Sequence, residues 1–210
     1  MERLRDDYLV AIQQVLRQYN IGAGSTLRAL EERLYRDAGV VAGESRVEGG
    51  LLRFDTVVRP EWADYNHHMT DFRYNQVFGD AMDVLYRKAG IDDEYRKGGH
   101  MFYTVESQVR HLAEAKVGEP LYVTTQILGV DDKRLHVFHR LHRGRDGALI
   151  ATGEQMHLHV DTRAAKAAPM APALRAGLDA LRDSQASLPA PVEAGKPVGG
   201  RAKRHARTGS

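Results

Sequence analysis

The feature that most constrains this chain is a run of apolar side chains, Tyr74, Val77, Phe78, Ala81, Met82, Leu85 and Ala89, spaced three or four residues apart. That period lays one apolar stripe along an α-helix. Thr70 supplies an N-cap hydroxyl, Asp71 places negative charge on the first turn, Lys88 sits in the last turn, and Gly90 can take the left-handed stop. A helix with one long apolar face must bury it, so the rest of the chain has to supply a cover.

The cover reads as a sheet. Leu51 to Val58 forms a strand before the helix. After a short helical turn over Ile91 to Lys97 come four more, Met101 to Leu112, Pro120 to Val130, Arg134 to Arg143 and Ala148 to Asp161. Their connections carry turn residues at Lys116 to Glu119, Asp131-Asp132-Lys133 and Arg145-Asp146-Gly147, so consecutive strands are antiparallel neighbours. The expected class is α+β, with an antiparallel five-stranded sheet wrapped around a long central helix. A five-stranded sheet leaves edges open, which predicts a homo-oligomer, dimer or tetramer.

Around this unit, expected over 51–168, the chain divides further. Residues 1–38 read as an N-terminal helical pair, the first helix carrying Leu4, Tyr8, Ile12, Val15, Leu16 and Tyr19, the second Leu27, Leu30 and Leu34. Residues 39–50 read as a Gly-rich linker and 169–184 as a C-terminal helix with Leu174, Leu178 and Leu181 in register. Residues 185–210, with several prolines and a basic run at Arg201, Lys203, Arg204 and Arg207, read as a disordered basic tail.

Composition excludes several functions. Among 210 residues no apolar run approaches the ~20 that a membrane span needs, and the charged N-terminus has no apolar core of a signal peptide. The chain has no cysteine, which removes disulfides, thiol catalysis and thiolate metal sites and fits a cytoplasmic protein. Net charge is +2, and residues 1–38 balance Arg3, Arg5, Arg17, Arg28, Arg33 and Arg36 against Glu2, Asp6, Asp7, Glu31, Glu32 and Asp37, which argues against nucleic acid as a partner. His157 and His159 share one strand face and His136 and His142 can share another, but no carboxylate completes a ligand set, so no metal is expected.

Chemistry concentrates just before the helix. Trp62, Asp64, Tyr65, Asn66, His67 and His68 place an acidic side chain ahead of the helix's positive end, where a carbonyl can be bound and polarised. Asp64 can act as nucleophile or general base, and His68 can orient it or contact substrate. The alternative is a purely structural turn in which Asp64, Asn66 and His68 bond locally. Glu106 on the following strand is a second carboxylate that can reach the site, unless it faces outward and is solvated.

The run Asp64-Tyr-Asn-His-His68-Met-Thr-Asp-Phe-Arg-Tyr74 resembles the Asp-x-x-Gly-His-x-Asn-x-x-x-Tyr signature of hotdog-fold acyl-CoA thioesterases of the 4-hydroxybenzoyl-CoA thioesterase type. His67 stands in the place of the Gly and Thr70 in that of the Asn; a Gly position that needs positive φ strains a His. The resemblance implies hydrolysis of an acyl-CoA without a cofactor, with Asp64 doing the chemistry, His68 assisting and the backbone N–H of Asp71 polarising the carbonyl. DYNHHM, VTTQILGVDDKRLHVFH and EQMHLHVDT are similar to thioesterases associated with L-carnitine dehydrogenases, and RDDYLVAIQQVL resembles the closing helix of those dehydrogenases. That resemblance implies betainyl-CoA, a substrate of carnitine metabolism. Trp62, Tyr65, Asn66, Phe102 and Tyr103 would then line the acyl site, the rings holding a quaternary ammonium by cation–π attraction of about 0.5–2 kcal/mol per contact. Arg73, Lys88, Arg110, Lys116 and Lys133 are cations available to coenzyme A. Two other readings stay open. A hotdog enoyl-CoA hydratase would want Asp-x-Asn-Pro-x-His, but His67 and Met69 fall on the Pro and His places. A non-catalytic acyl-CoA-binding or structural module would use the fold alone.

Overall fold

The structure, a computed structural model, describes residues 27–41 and 45–198. The helix expected over residues 1–20 and the basic run after 200 lie outside the described residues. The order of elements is α1 (Leu27–Asp37), β1 (Ser45–Glu48), β2 (Leu51–Val57), a 3-10 turn at Pro60–Trp62, α2 (Asp71–Ala89), α3 (Asp93–Lys97), β3 (His100–His111), β4 (Pro120–Val130), β5 (Arg134–Arg143), β6 (Leu149–Asp161), β7 (Lys166–Ala167) and α4 (Pro172–Asp183).

The long strands form an antiparallel sheet in the order β1-β2-β4-β5-β6-β3, and β7 pairs with β6. Its concave face covers α2. Tyr74, Val77, Phe78, Ala81, Met82, Leu85 and Ala89 are all buried, and they meet Leu121, Val123, Ile127, Leu135, Val137 and Leu141 in one core. Gly90 ends the helix at φ 104°, a left-handed stop that suits glycine. Thr70 does occupy the N-cap position, but its hydroxyl donates to the carbonyl of Trp62 at 3.1 Å and caps no helical N–H. Gly153 on β6 lies under the Phe78 ring, where a Cβ would come within 2.6 Å of the aromatic carbons, so only glycine fits this crossing of helix and sheet.

The sheet has seven strands where five were expected. β1 falls in the stretch read as linker, and its four residues are all exposed, with no alternation to mark them. It pairs with β2 from Ser45↔Phe54 to Glu48↔Leu51, and Arg46 and Arg53 both bind the buried Asp55 carboxylate, at 2.6 and 2.7 Å. β7 is only two residues long and takes the position beside β6 that β5 has vacated.

The described chain after α4 is ordered where disorder was expected from 185 onward. Gln185 is buried; its Oε1 accepts from Ile127 N–H at 2.8 Å and its Nε2 donates to Thr125 C=O at 3.2 Å. β2 stops pairing with β4 at Thr125, so this side chain closes the open edge as a further strand would. The segment then crosses the convex face. Pro189 C=O accepts from Gln126, Gly195 N–H donates to Glu154 at 2.8 Å, and Lys196 C=O accepts from Arg110.

Replacing Gln185 by Ala leaves two buried backbone groups without partners, each worth about 1–3 kcal/mol. Urea unfolding of Gln185→Ala should show a midpoint well below wild type; an unchanged midpoint would mean that water replaces the amide at no cost.

Candidate active site

Residues 63–70 form a compact loop that delivers the chain into α2. Ala63 and Met69 bridge across it, Asp64 N–H donates to His68 C=O at 3.0 Å, and His67 N–H donates to Asp64 C=O at 3.0 Å. The Asp64 side chain turns back into this loop. Its Oδ1 accepts from Asn66 N–H at 2.8 Å and from His68 N–H at 3.4 Å, an Asx-type turn. Both local contacts use one oxygen of the half-buried carboxylate. His67 has φ 63°, so the turn needs a left-handed residue where the signature has glycine, and histidine occupies it under strain.

The loop is lashed to the segment between β3 and β4. Met69 N–H donates to Ala115 C=O at 2.8 Å, His68 bridges to Lys116, and His68 Nε2 lies 3.2 Å from the exposed Glu114 carboxylate. His68 is therefore tied to Glu114 as well as to the Asp64 turn. At the helix start Asp71 turns its own carboxylate onto Phe72 N–H at 2.7 Å. The Asp71 N–H meets no acceptor among the described residues and sits at the positive end of α2.

The residues expected to line an acyl pocket divide between core and surface. Trp62 is 1% exposed, beneath the Arg59 guanidinium at 5.1 Å, and its carbonyl anchors Thr70. Phe102 is buried and stacks on Tyr86 at 5.3 Å. Tyr65 and Tyr103 are 74% and 51% exposed, and Asn66, next to Tyr65 in sequence, is exposed too. One protomer thus brings Asp64, His68 and the Asp71 N–H into one loop and helix start but does not close Trp62, Tyr65, Phe102 and Tyr103 into a single cavity. Glu106 lies on the convex face, in a cavity of about 390 Å³ with His136 and Glu154, across the sheet from α2. A bulge between Thr104 and Glu106 puts it there.

Sequence reasoning missed a buried polar strip between α2 and the sheet. His139 is fully buried, stacks on Phe78 at 5.3 Å and bonds Thr125 at 3.0 Å; burial, reinforced by nearby His157, drops its pKa to about 3. His157 bonds Tyr86 at 2.9 Å and Gln155 at 3.2 Å, and burial lowers it to about 4. Burial also lowers His159, which is held by the Tyr95 hydroxyl at 2.6 Å and the Ala168 carbonyl. Alternation did place His157 and His159 on one face; it could not say that the face is internal. Among the described residues no group of three or more His, Asp or Glu gathers as a metal site, and no helix is long and apolar enough to cross a membrane.

A sheet curved over one long helix, with a carboxylate turn feeding that helix's N-terminus, is the architecture of a hotdog protein. Residues 58–178 match the thioesterase-like superfamily, and the chain belongs to that family. It is similar to the betainyl-CoA thioesterase of Pseudomonas aeruginosa PAO1, 39% identical over 71% of this chain and 94% of the relative. It is also similar to the L-carnitine dehydrogenase/betainyl-CoA thioesterase of Rhizobium meliloti, 43% identical over 95% of this chain and 41% of the relative. The chain therefore spans about two fifths of the length of these fused relatives. Among solved structures, a Staphylococcus aureus protein in complex with CoA superposes with TM-score 0.66 at 26% identity, covering 70% of this chain and 94% of that one. A candidate thioesterase of Pseudomonas putida KT2440 superposes with TM-score 0.62 at 36% identity, covering 70% and 95%.

The histidine strip sets a pH dependence of stability. A histidine with a folded pKa below its unfolded value near 6.5 takes up its proton only on unfolding. Stability is then complete above pH ~6.5 and is lost as pH falls toward 4 for His157 and 3 for His139, by on the order of 1 kcal/mol per pH unit and group. Urea unfolding at pH 7, 6 and 5 should show this decline, and His139→Leu should flatten it; parallel slopes for the two proteins would remove His139 as the cause.

Proposed function

We propose that this chain is an acyl-CoA thioesterase that cleaves small acyl groups from coenzyme A, betainyl-CoA first among them. The observation that carries the reading is the pairing of a half-buried carboxylate turn, Asp64, with an unclaimed N–H at the head of α2, Asp71. The names of relatives that align with 95% and 71% of this chain support the substrate. A cytoplasmic setting, in keeping with the lack of cysteine, is part of the same reading.

In this mechanism Asn66 and His68 N–H groups hold Asp64 Oδ1, which leaves the second oxygen to act. It attacks the thioester carbon directly or takes a proton from an attacking water. As the carbonyl π electrons move onto oxygen, Asp71 N–H stabilises the charge. The C–S bond then breaks, coenzyme A leaves as a thiolate and takes up a proton, and water supplies the hydroxyl that ends in the free acid. Tyr65, Asn66 and Phe72 around the loop and helix start, and Tyr103 on β3, are the exposed groups available to contact the acyl end, whereas Trp62 and Phe102 are core residues. Lys116, paired through its backbone with His68, is an exposed cation suited to coenzyme A.

The second part of the reading is a homo-oligomer. β3 pairs only with β6 among the described strands, and Tyr103 and Val105 along it are exposed. A second copy would extend the sheet along this edge and turn an open acyl site into an enclosed one. Light scattering should give twice or four times the 23.5 kDa chain mass, and Val105→Lys should shift the mass toward one chain. A monodisperse wild-type monomer would reject this part.

Thiol release from a panel of acyl-CoAs that includes betainyl-CoA tests the activity itself. Asp64→Asn should lower kcat by about 10²–10⁴-fold. Unchanged turnover in that variant would remove Asp64 from the chemistry. No release from any acyl-CoA would favour a binding module, and loss of crotonyl-CoA absorbance at constant thiol would favour a hydratase.

A further inference from the structure

Asn75 follows Asp71 by one helical turn on α2, and its side chain is exposed. Its Oδ1 accepts from Ser107 Oγ on β3 at 2.9 Å and from Gln155 Nε2 on β6 at 3.2 Å. Gln155 is buried, and its Oε1 accepts from His157 Nε2 at 3.2 Å. That assigns the imidazole proton to Nε2, so Nδ1 accepts from the Tyr86 hydroxyl at 2.9 Å. Donors and acceptors therefore run one way, from Tyr86 through His157 and Gln155 to Asn75.

The consequence appears at the exposed end. With Oδ1 turned inward onto two donors, Nδ2 and its two hydrogens face outward and meet no acceptor among the described residues. Rotating the amide would set Nδ2 against the Gln155 donor, so the buried chain resists the rotation. Helical side chains lean toward the N-terminus, and Asn75 lies only ~6 Å beyond Asp71 along the axis. Its amide is thus tipped back toward the turn that presents Asp71 N–H.

We propose that Asn75 is a second oxyanion donor, its Nδ2–H and the Asp71 N–H converging on the thioester carbonyl oxygen, with Gln155 and Ser107 as positioning residues. The proposal rests on the thioesterase reading of the same site. Asn75 makes and breaks no covalent bond. It meets the negative charge that forms on oxygen as the carbon is attacked and that returns to the carbonyl when the C–S bond breaks. A donor already fixed in place needs no reorientation at that moment, which is the source of its effect.

The test compares Asn75→Ala and Asn75→Asp with wild type on betainyl-CoA. Loss of one such donor lowers kcat by about 10²–10³-fold, with KM little changed; Asn75→Asp, which keeps an acceptor for Gln155 and Ser107 but has no N–H, separates this loss from the stability cost of leaving Gln155 Nε2 unpaired in Asn75→Ala. Ser107→Ala should give a smaller loss of the same kind. A second readout needs no turnover: in Asp64→Asn protein, the bound thioester carbonyl stretch should lie below that of free substrate, and adding Asn75→Ala should move it back. Wild-type kcat in Asn75→Ala, a loss confined to KM, or a carbonyl frequency indifferent to Asn75 would each overturn the proposal while leaving the thioesterase reading in place. Absence of thiol release by the wild type would overturn both.

Discussion

Burial of the apolar flank of α2 beneath a curved antiparallel sheet is the interaction on which the molecule depends. The sheet alone would expose Leu121, Val123, Val137 and Leu141, and the helix alone would expose Val77, Phe78, Ala81 and Leu85. Each is the other's cover, at about 25 cal/mol per Å² of apolar surface removed from water. The fit is close enough to dictate single residues. Phe78 lies against His139 on one side and over Gly153 on the other, so a ring, an imidazole and a bare backbone share one crossing. Changes of volume there cannot be absorbed locally, because interiors pack at near crystalline density.

The same burial explains where the chemistry can sit. A helix held inside a sheet has its middle sealed and its first turn at the rim, so unpaired N–H groups are available only there. The loop from Ala63 to Thr70 is fastened at that rim on both sides, to Trp62 through Thr70 and to Ala115 and Lys116 through Met69 and His68. Its geometry demands one left-handed residue. Filling that place with His67 stores strain of order 1–3 kcal/mol, which the bonds on either side have to contain.

Much of the fold was legible because its signals are periodic and local. The stripe of α2, the five long strands and α4 follow from apolar spacing and from turn residues such as Gly118 and Gly147, and the bounds of β4 and β5 agree with the sequence reading to the residue. What escaped was non-local. β1 has no apolar alternation and exists because β2 offers an edge and Asp55 offers a charge to Arg46. Gln185 sits in a tail of disordered composition, yet it matches the unfinished edge of β4. For Glu106 the sequence left two faces open, and a bulge between Thr104 and Glu106 decides for the outer, solvated one. Trp62 and Phe102 look like pocket aromatics in sequence, where ring character is visible and direction is not. The Asp64 turn was legible as a motif. The link from Asn75 to Gln155 spans 80 positions and leaves no trace in spacing.

The polar strip along α2 is also a statement about priorities. His139, His157 and Gln155 occupy sheet positions where apolar side chains would pack without desolvating imidazole and amide groups, and His139 Nε2 finds no partner among the described residues. Such groups are tolerated only when their hydrogen bonds are nearly complete, and completeness makes them directional. Leucines in their place would leave Asn75 free to turn either face outward. A core of this kind gives up stability for direction, and it hands that direction to Asn75, one turn from the helix mouth.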